Sequence, residues 1–213
     1  MAKYFIGDFA KDIIMILNHI WGLYAHPKDE WQTIEKQHES IMYSMAHILA
    51  IALIPTICSY YAAAHIGWTI GVGEPIMINQ SSAQLMAIAM YFALVIGVFA
   101  LAYLIQWMAK TFDSKPSYIQ SLELAAYTAT PMFMVGIAAL FPVLWFVALV
   151  GLVGVSYSIY LLYSGVPIMM NIPEDKGFIY SSSVVTCGLV LLVGIMAFSA
   201  VMWTMGFGPE YVH

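Results

Sequence analysis

The chain contains no arginine, and its seven lysines never cluster into a basic run. A nucleic-acid surface needs grouped cations to neutralise phosphates, so the composition speaks against nucleic acid as a partner. Charge of either sign is scarce: 9% of the residues are charged, where a soluble domain carries about 25%. That deficit argues against a water-soluble fold. Cysteine is nearly absent, with Cys58 and Cys187 both inside apolar segments. A disulfide framework or a zinc cluster needs closely spaced pairs, and neither spacing occurs. The sequence also lacks HExxH, GxSxG, Walker A and dinucleotide-binding glycine patterns. It therefore reads as a non-enzyme, with no cofactor and no metal.

What is abundant is apolar. Hydrophobic residues make up 62% of the 213, and the mean hydropathy is +0.83. The organising stretch is 118–180, where Glu123 is the only normally charged residue between Gln120 and Ser164. That length suits two crossings of about 20 residues each. Phe141–Pro142 marks the break, since proline donates no backbone hydrogen bond and restricts the residue before it. The expected element is a helical hairpin that leaves the membrane through Gly165-Val166-Pro167. The fold class follows: an all-α integral membrane protein of five transmembrane helices, over about 41–66, 85–109, 120–141, 142–164 and 179–205.

Residues 1–40 form the expected cytoplasmic region ahead of a membrane domain at 41–213. Over 4–24, Phe5, Phe9, Ile13, Ile16, Leu17, Ile20 and Tyr24 make a helical stripe, with Lys3, Asp8, Lys11, Asp12 and Asn18 elsewhere. A secretory signal would have an unbroken apolar centre and a small-residue cleavage site. The stripe predicts an amphipathic helix in the membrane interface or against the end of the bundle. A second short helix begins near Pro27, which suits a first turn, and Asp29 and Glu30 favour its positive end. Trp31 is a ring suited to headgroup level.

Lysine sets the expected orientation. Lys3, Lys11, Lys28 and Lys36 precede the first span, Lys110 and Lys115 lie between the second and third, and Lys176 between the fourth and fifth. The alternate flanks hold none. By the positive-inside rule the amino terminus is cytoplasmic and the carboxyl terminus is periplasmic.

Several short motifs, in order, resemble the Yip1 family of five-span membrane proteins, most closely its bacterial inner-membrane branch. They are Pro27-Lys28-Asp29-Glu30-Trp31, Tyr127-Thr128-Ala129-Thr130-Pro131, and the run from Tyr157 through Tyr160 to Gly165-Val166-Pro167. The motif positions are thus Pro27, Trp31, Thr130, Pro131, Tyr160, Gly165 and Pro167. The resemblance covers roughly Trp21 to the end of the fifth span. It implies fold, topology and a bacterial inner (cytoplasmic) membrane location; eukaryotic members are associated with Rab GTPases and vesicle traffic. No reaction comes with it.

Polar residues inside the spans are the remaining candidates. Tyr103, Gln106 and Lys110 share one helical face at the end of span two. With Glu123, Tyr127 and Pro131 of span three they define a candidate polar pathway, its cytoplasmic mouth set by an approach of Lys110 to Glu123. The plainer reading of that pair is a snorkelling lysine and a carboxylate anchoring helix ends. Tyr157, Tyr160 and Tyr163 either line a cavity or anchor at the headgroups. The fifteen methionines offer thioethers to copper(I), yet no cluster joins them to His or Cys, so they read as apolar filler. Gly151, Gly154 and Ser158, and Ala93 with Gly97, let helices approach closely or serve a homo-oligomer. Asp113, Glu174 and Asp175 read as solvated loop charges. The leading expectation is a non-enzymatic, membrane-organising or partner-binding protein whose partners are the lipid bilayer and a membrane or cytoplasmic protein. The alternative is a small channel or transporter for an ion or small polar solute.

Overall fold

A computed structural model describes residues 18–37 and 41–212, apart from the Phe207 side chain. Residues 18–25 are helical (α1), followed by α2 at Pro27–Gln37. Five long helices come next: α3 (Ile41–Tyr61), α4 (Gln80–Ala109), α5 (Tyr118–Met134), α6 (Leu144–Met169) and α7 (Glu174–Met202). Short wider or tighter helical segments prolong α3 to Ile66, α4 to Phe112, α5 to Leu140 and α7 to Phe207. All five are long and apolar enough to cross a membrane. Among the described residues only isolated β-bridges accompany them, with no named strand.

Local chemistry explains where the helices start. The Ser117 hydroxyl accepts from the Gln120 N–H at 3.1 Å and the Gln120 side chain accepts from the Ser117 N–H at 2.8 Å, a capping box. Asn79 caps α4 by accepting from the Ser81 N–H at 3.2 Å. Glu174 and Asp175 occupy the first turn of α7, and Asp29 and Glu30 that of α2, where the helix dipole favours negative charge.

The hairpin breaks at Phe141–Val143, and the loop before α4 pins the break in place. Thr69 N–H donates to the Pro142 carbonyl at 3.0 Å and Leu144 N–H to the Thr69 carbonyl at 2.9 Å. The helix ends differ from the hydropathy reading: α6 starts slightly later, at Leu144 rather than 142, while two other helices start several residues earlier. α4 starts at Gln80 rather than near residue 85, and α7 at Glu174 rather than near 179. Hydropathy reports the hydrocarbon core, whereas α4's 30 residues reach about 45 Å at about 1.5 Å each, into the headgroups. The expected Gly165-Val166-Pro167 exit is corrected: α6 runs through Pro167 to Met169. Proline removes one donor, but later turns still close, with Met170 N–H on the Val166 carbonyl at 2.9 Å.

α5 is the axis of the bundle. Ser121 through Thr128 are buried without interruption, enclosed by α3, α4 and α6. A helix buried on every side carries the polar groups of its sequence into the core, and that sets up the site. α7 is the opposite case. Gly177, Tyr180, Ser181 and Val184 are buried, and none of residues 185–206 is.

Candidate functional site

One end of the bundle carries α1, α2, the α4–α5 turn and the α6–α7 turn; we call it the cap end. Pro27 suits the first turn, and Trp31 and Ile34, three apart among polar residues, make α2 two-faced. Trp31 and Ile34 are fully buried against the bundle, as is Leu23 of α1, while Lys28, Asp29, Gln32, Thr33, Lys36 and Gln37 are exposed. The Trp31 indole N–H donates to the Ser164 hydroxyl at 3.2 Å, which in turn donates to the Leu161 carbonyl at 3.0 Å. Trp31 thus lies inside the packed cap, covered by protein. The Tyr157 hydroxyl donates to the Leu23 carbonyl at 2.9 Å, and its ring stacks on Tyr24 with centroids 5.0 Å apart. Burial, and then the nearby Tyr157, push the Tyr24 phenol above its ordinary pKa.

Beneath the cap lies a cluster of buried ionisable and polar side chains. His19 Nδ1 meets the Glu30 carboxylate. The Tyr127 ring, 2% exposed, sits between three others: His19 edge-on at 5.9 Å, Trp31 edge-on at 6.2 Å, and His47 at 4.8 Å. His47 Nε2 lies 2.8 Å from the Thr130 hydroxyl, whose own proton goes to the Ala126 carbonyl at 2.9 Å. The hydroxyl therefore accepts, which puts a proton on His47 Nε2. Glu123, one turn before Tyr127 on α5, is 1% exposed. Such groups are costly within apolar surroundings and frequently mark a working site.

The sequence-predicted pathway residues divide into two groups. Glu123, Tyr127 and Pro131 are buried on α5, while Tyr103 is 64% exposed, Lys110 is exposed and Gln106 is half-buried on α4. No ion pair joins Lys110 to Glu123 among the described residues; Lys176 pairs with Asp113 at 2.8 Å. That contact, hydrogen bond first and charge second, holds the Asp113 carboxyl below its ordinary pKa. Asp113 is therefore a paired loop charge. Of the tyrosines of α6, Tyr157 goes to the cap, Tyr163 bonds the Ser182 hydroxyl at 2.7 Å, and Tyr160 is 49% exposed with its ring 5.6 Å from that of Tyr157.

Family-motif positions mark close approaches. Gly165 faces the Trp31 ring, and Pro167 packs on Gly177. Thr130 and Pro131 sit in the core and Pro27 is half-buried. His19 and His47 escape the sequence reading, which takes Glu30 as a first-turn acid and motif residue and not as a partner of His19. Their only signal is a histidine inside an otherwise apolar span, at His47. Among the described residues no group of three His, Cys, Asp or Glu is gathered as a metal would need. Stripe residues Phe5, Phe9, Ile13, Ile16 and Leu17, with Lys3 and Lys11, lie outside the described residues.

Five spanning helices around a buried axis, closed at one end by a docked helical cap, define a multi-pass membrane protein. Residues 21–195 match the Yip1 domain. The chain belongs to the Yip1 family. It is 35% identical over 192 residues, 90% of its length and 98% of the relative's, to "Inner membrane protein YohC" of Escherichia coli K12. The protein of the same description from Escherichia coli O6:H1 matches equally. No solved structure matches the chain.

Proposed function

We propose that this chain is a non-enzymatic, membrane-organising protein of the bacterial inner membrane, whose cap presents a rigid surface to a protein partner on the cytoplasmic side. The carrying observation is the contrast across α2. Its inner face is locked by Trp31 and Ile34, while Lys28, Gln32 and Lys36 stand exposed. A helix held in place before binding loses little entropy when a partner arrives. The inner-membrane relatives support the location. Photo-cross-linking groups placed at Gln32 and Lys36 in cells should form one shared discrete adduct that a group at Leu85 does not form. Charge reversal at Lys28 and Lys36 should remove the adduct while the protein stays inserted. Absence of any adduct from both α2 positions overturns the reading.

A second reading, a small channel or transporter for an ion or small polar solute, draws on the buried His19, His47 and Glu123 and the half-buried Glu30. Flux in reconstituted liposomes that is lost in Glu123→Gln and His47→Gln would favour it. Flux retained in both variants would remove the cluster as its route.

A further inference from the structure

α4 and α7 are tied together twice and stand apart in between. At the cap end the Tyr180 hydroxyl donates to the Ile105 carbonyl, and the Tyr180 ring stacks on Phe112 at 4.6 Å. At the far end Asn79 N–H donates to the Glu210 carbonyl at 2.7 Å, Glu210 N–H to the Ser82 hydroxyl at 3.2 Å, and Val212 N–H to the Met77 carbonyl at 3.1 Å. Between these ties, toward the far end, lies a cleft of about 820 Å³, within the range of roughly 300–1,000 Å³ usual for ligand sites. A helix merely detached from the bundle would not be fastened again beyond the gap.

The walls and the mouth differ in chemistry. Met86, Ala89 and Ala93 of α4 face Ile195, Phe198 and Met202 of α7, each set spaced three or four apart on one helical face. The polar residues Ser81, Ser82 and Glu210 lie at the far-end rim. Both helices belong to membrane spans, so the apolar part of the cleft lies at acyl-chain depth. The far-end connections carry Glu74 and Glu210 and no lysine, and the chain has no arginine. A negative rim without a cation disfavours an anionic headgroup and suits an ammonium.

We infer that this cleft is a binding site for a glycerophospholipid with a primary-ammonium headgroup, its acyl chains between α4 and α7 and its amine at Glu210. The inference is independent of what docks on the cap. The full chain is reconstituted in nanodiscs of phosphatidylethanolamine and phosphatidylglycerol, released into mild detergent, and its retained lipid is counted by native mass spectrometry. Wild type should retain phosphatidylethanolamine in preference to phosphatidylglycerol. Glu210→Gln should lower that preference roughly two- to fivefold, the scale of an exposed charge pair. Ala89→Trp and Ala93→Trp should reduce retention of both lipids; these positions are exposed, so the indole enters the cleft and not the core. Equal retention of the two lipids by wild type overturns the inference, as does wild-type retention in both tryptophan variants. A second copy is tested with Cys58 and Cys187 replaced by Ala, mixing molecules carrying Ser199→Cys with others carrying Leu85→Cys. A disulfide-linked pair would put another chain in the cleft and also overturn the inference.

Discussion

Gly165 and Trp31 meet at a distance that only a residue without a side chain permits. A Cβ built on Gly165 would lie 2.7 Å from Trp31 Cε2 and 2.8 Å from Leu124 Cδ1. The neighbouring Ser164 receives the indole N–H at 3.2 Å. Two adjacent residues of α6 thus accept the ring and its polar edge, and hold α2 on the bundle.

Gly165→Ala should loosen the cap by overpacking, at a cost of about 1–3 kcal/mol. Thermal unfolding in detergent should shift down, and the α2 amides should exchange faster while α5 stays protected. On a Trp31→Ala background the same substitution should cost less, because the ring atoms it strikes are gone and only Leu124 Cδ1 remains in its way. Equal costs on both backgrounds would show that the contact does not govern the position.

Much of this was legible in the sequence, and the exceptions have one physical cause. Hydropathy finds the spans because the bilayer core demands apolar side chains. It does not say whether protein or lipid covers them, since lipid tails are as apolar as leucine. Helical spacing puts Tyr103, Gln106 and Lys110 on one face of α4, but α4 is apolar all round and nothing shows where that face points. It points outward, with Tyr103 exposed, while Tyr127 on α5 is enclosed. Trp31 illustrates the same ambiguity: an indole next to the membrane reads as a headgroup anchor, and here it is 0% exposed. The short motif containing Gly165 was visible, but its purpose required the position of a ring 134 residues away.

Thr130→Val should cost about 1–3 kcal/mol, because it leaves the buried His47 Nε2–H without an acceptor. Thr130→Ser keeps the oxygen and should restore most of the loss. Unfolding temperatures of the three proteins in one detergent test this. A valine variant as stable as wild type would mean that His47 finds another acceptor.

The Asp113–Lys176 pair should give a small, salt-sensitive contribution to stability at the cap end. Asp113 has a lowered carboxyl pKa in the folded chain. Its contribution is therefore present above the unfolded value of about 3.9 and is lost as pH falls through the folded value. Asp113→Asn should remove this acid-side dependence at low ionic strength and do little at high salt. The position has φ 59°, a left-handed conformation in which asparagine is comfortable, so the loss of charge is read without added strain. An unchanged acid-side profile in Asp113→Asn would assign the dependence to other carboxylates.

Orientation is the remaining prediction, and it rests on charge. Lys28, Lys36, Lys110, Lys115 and Lys176 lie in or beside the cap-end connections, while the far-end connections carry Glu74 and Glu210. Retention of lysine-bearing loops on the cytoplasmic side puts the cap inside and the carboxyl terminus outside. A reporter fused after His213 that is active only outside the cytoplasm should therefore be active, and one inserted after Lys36 should not. The rule can also be opposed directly. Val72 is fully exposed in the far-end loop, and side chains added at Gly71 and Gly73 would meet open space. Lysines at 71, 72 and 73 should leave the fold unstrained while lowering the fraction of molecules with the carboxyl terminus outside. A carboxyl-terminal reporter that is active only in the cytoplasm would refute the orientation, and with it the cytoplasmic placement of the cap.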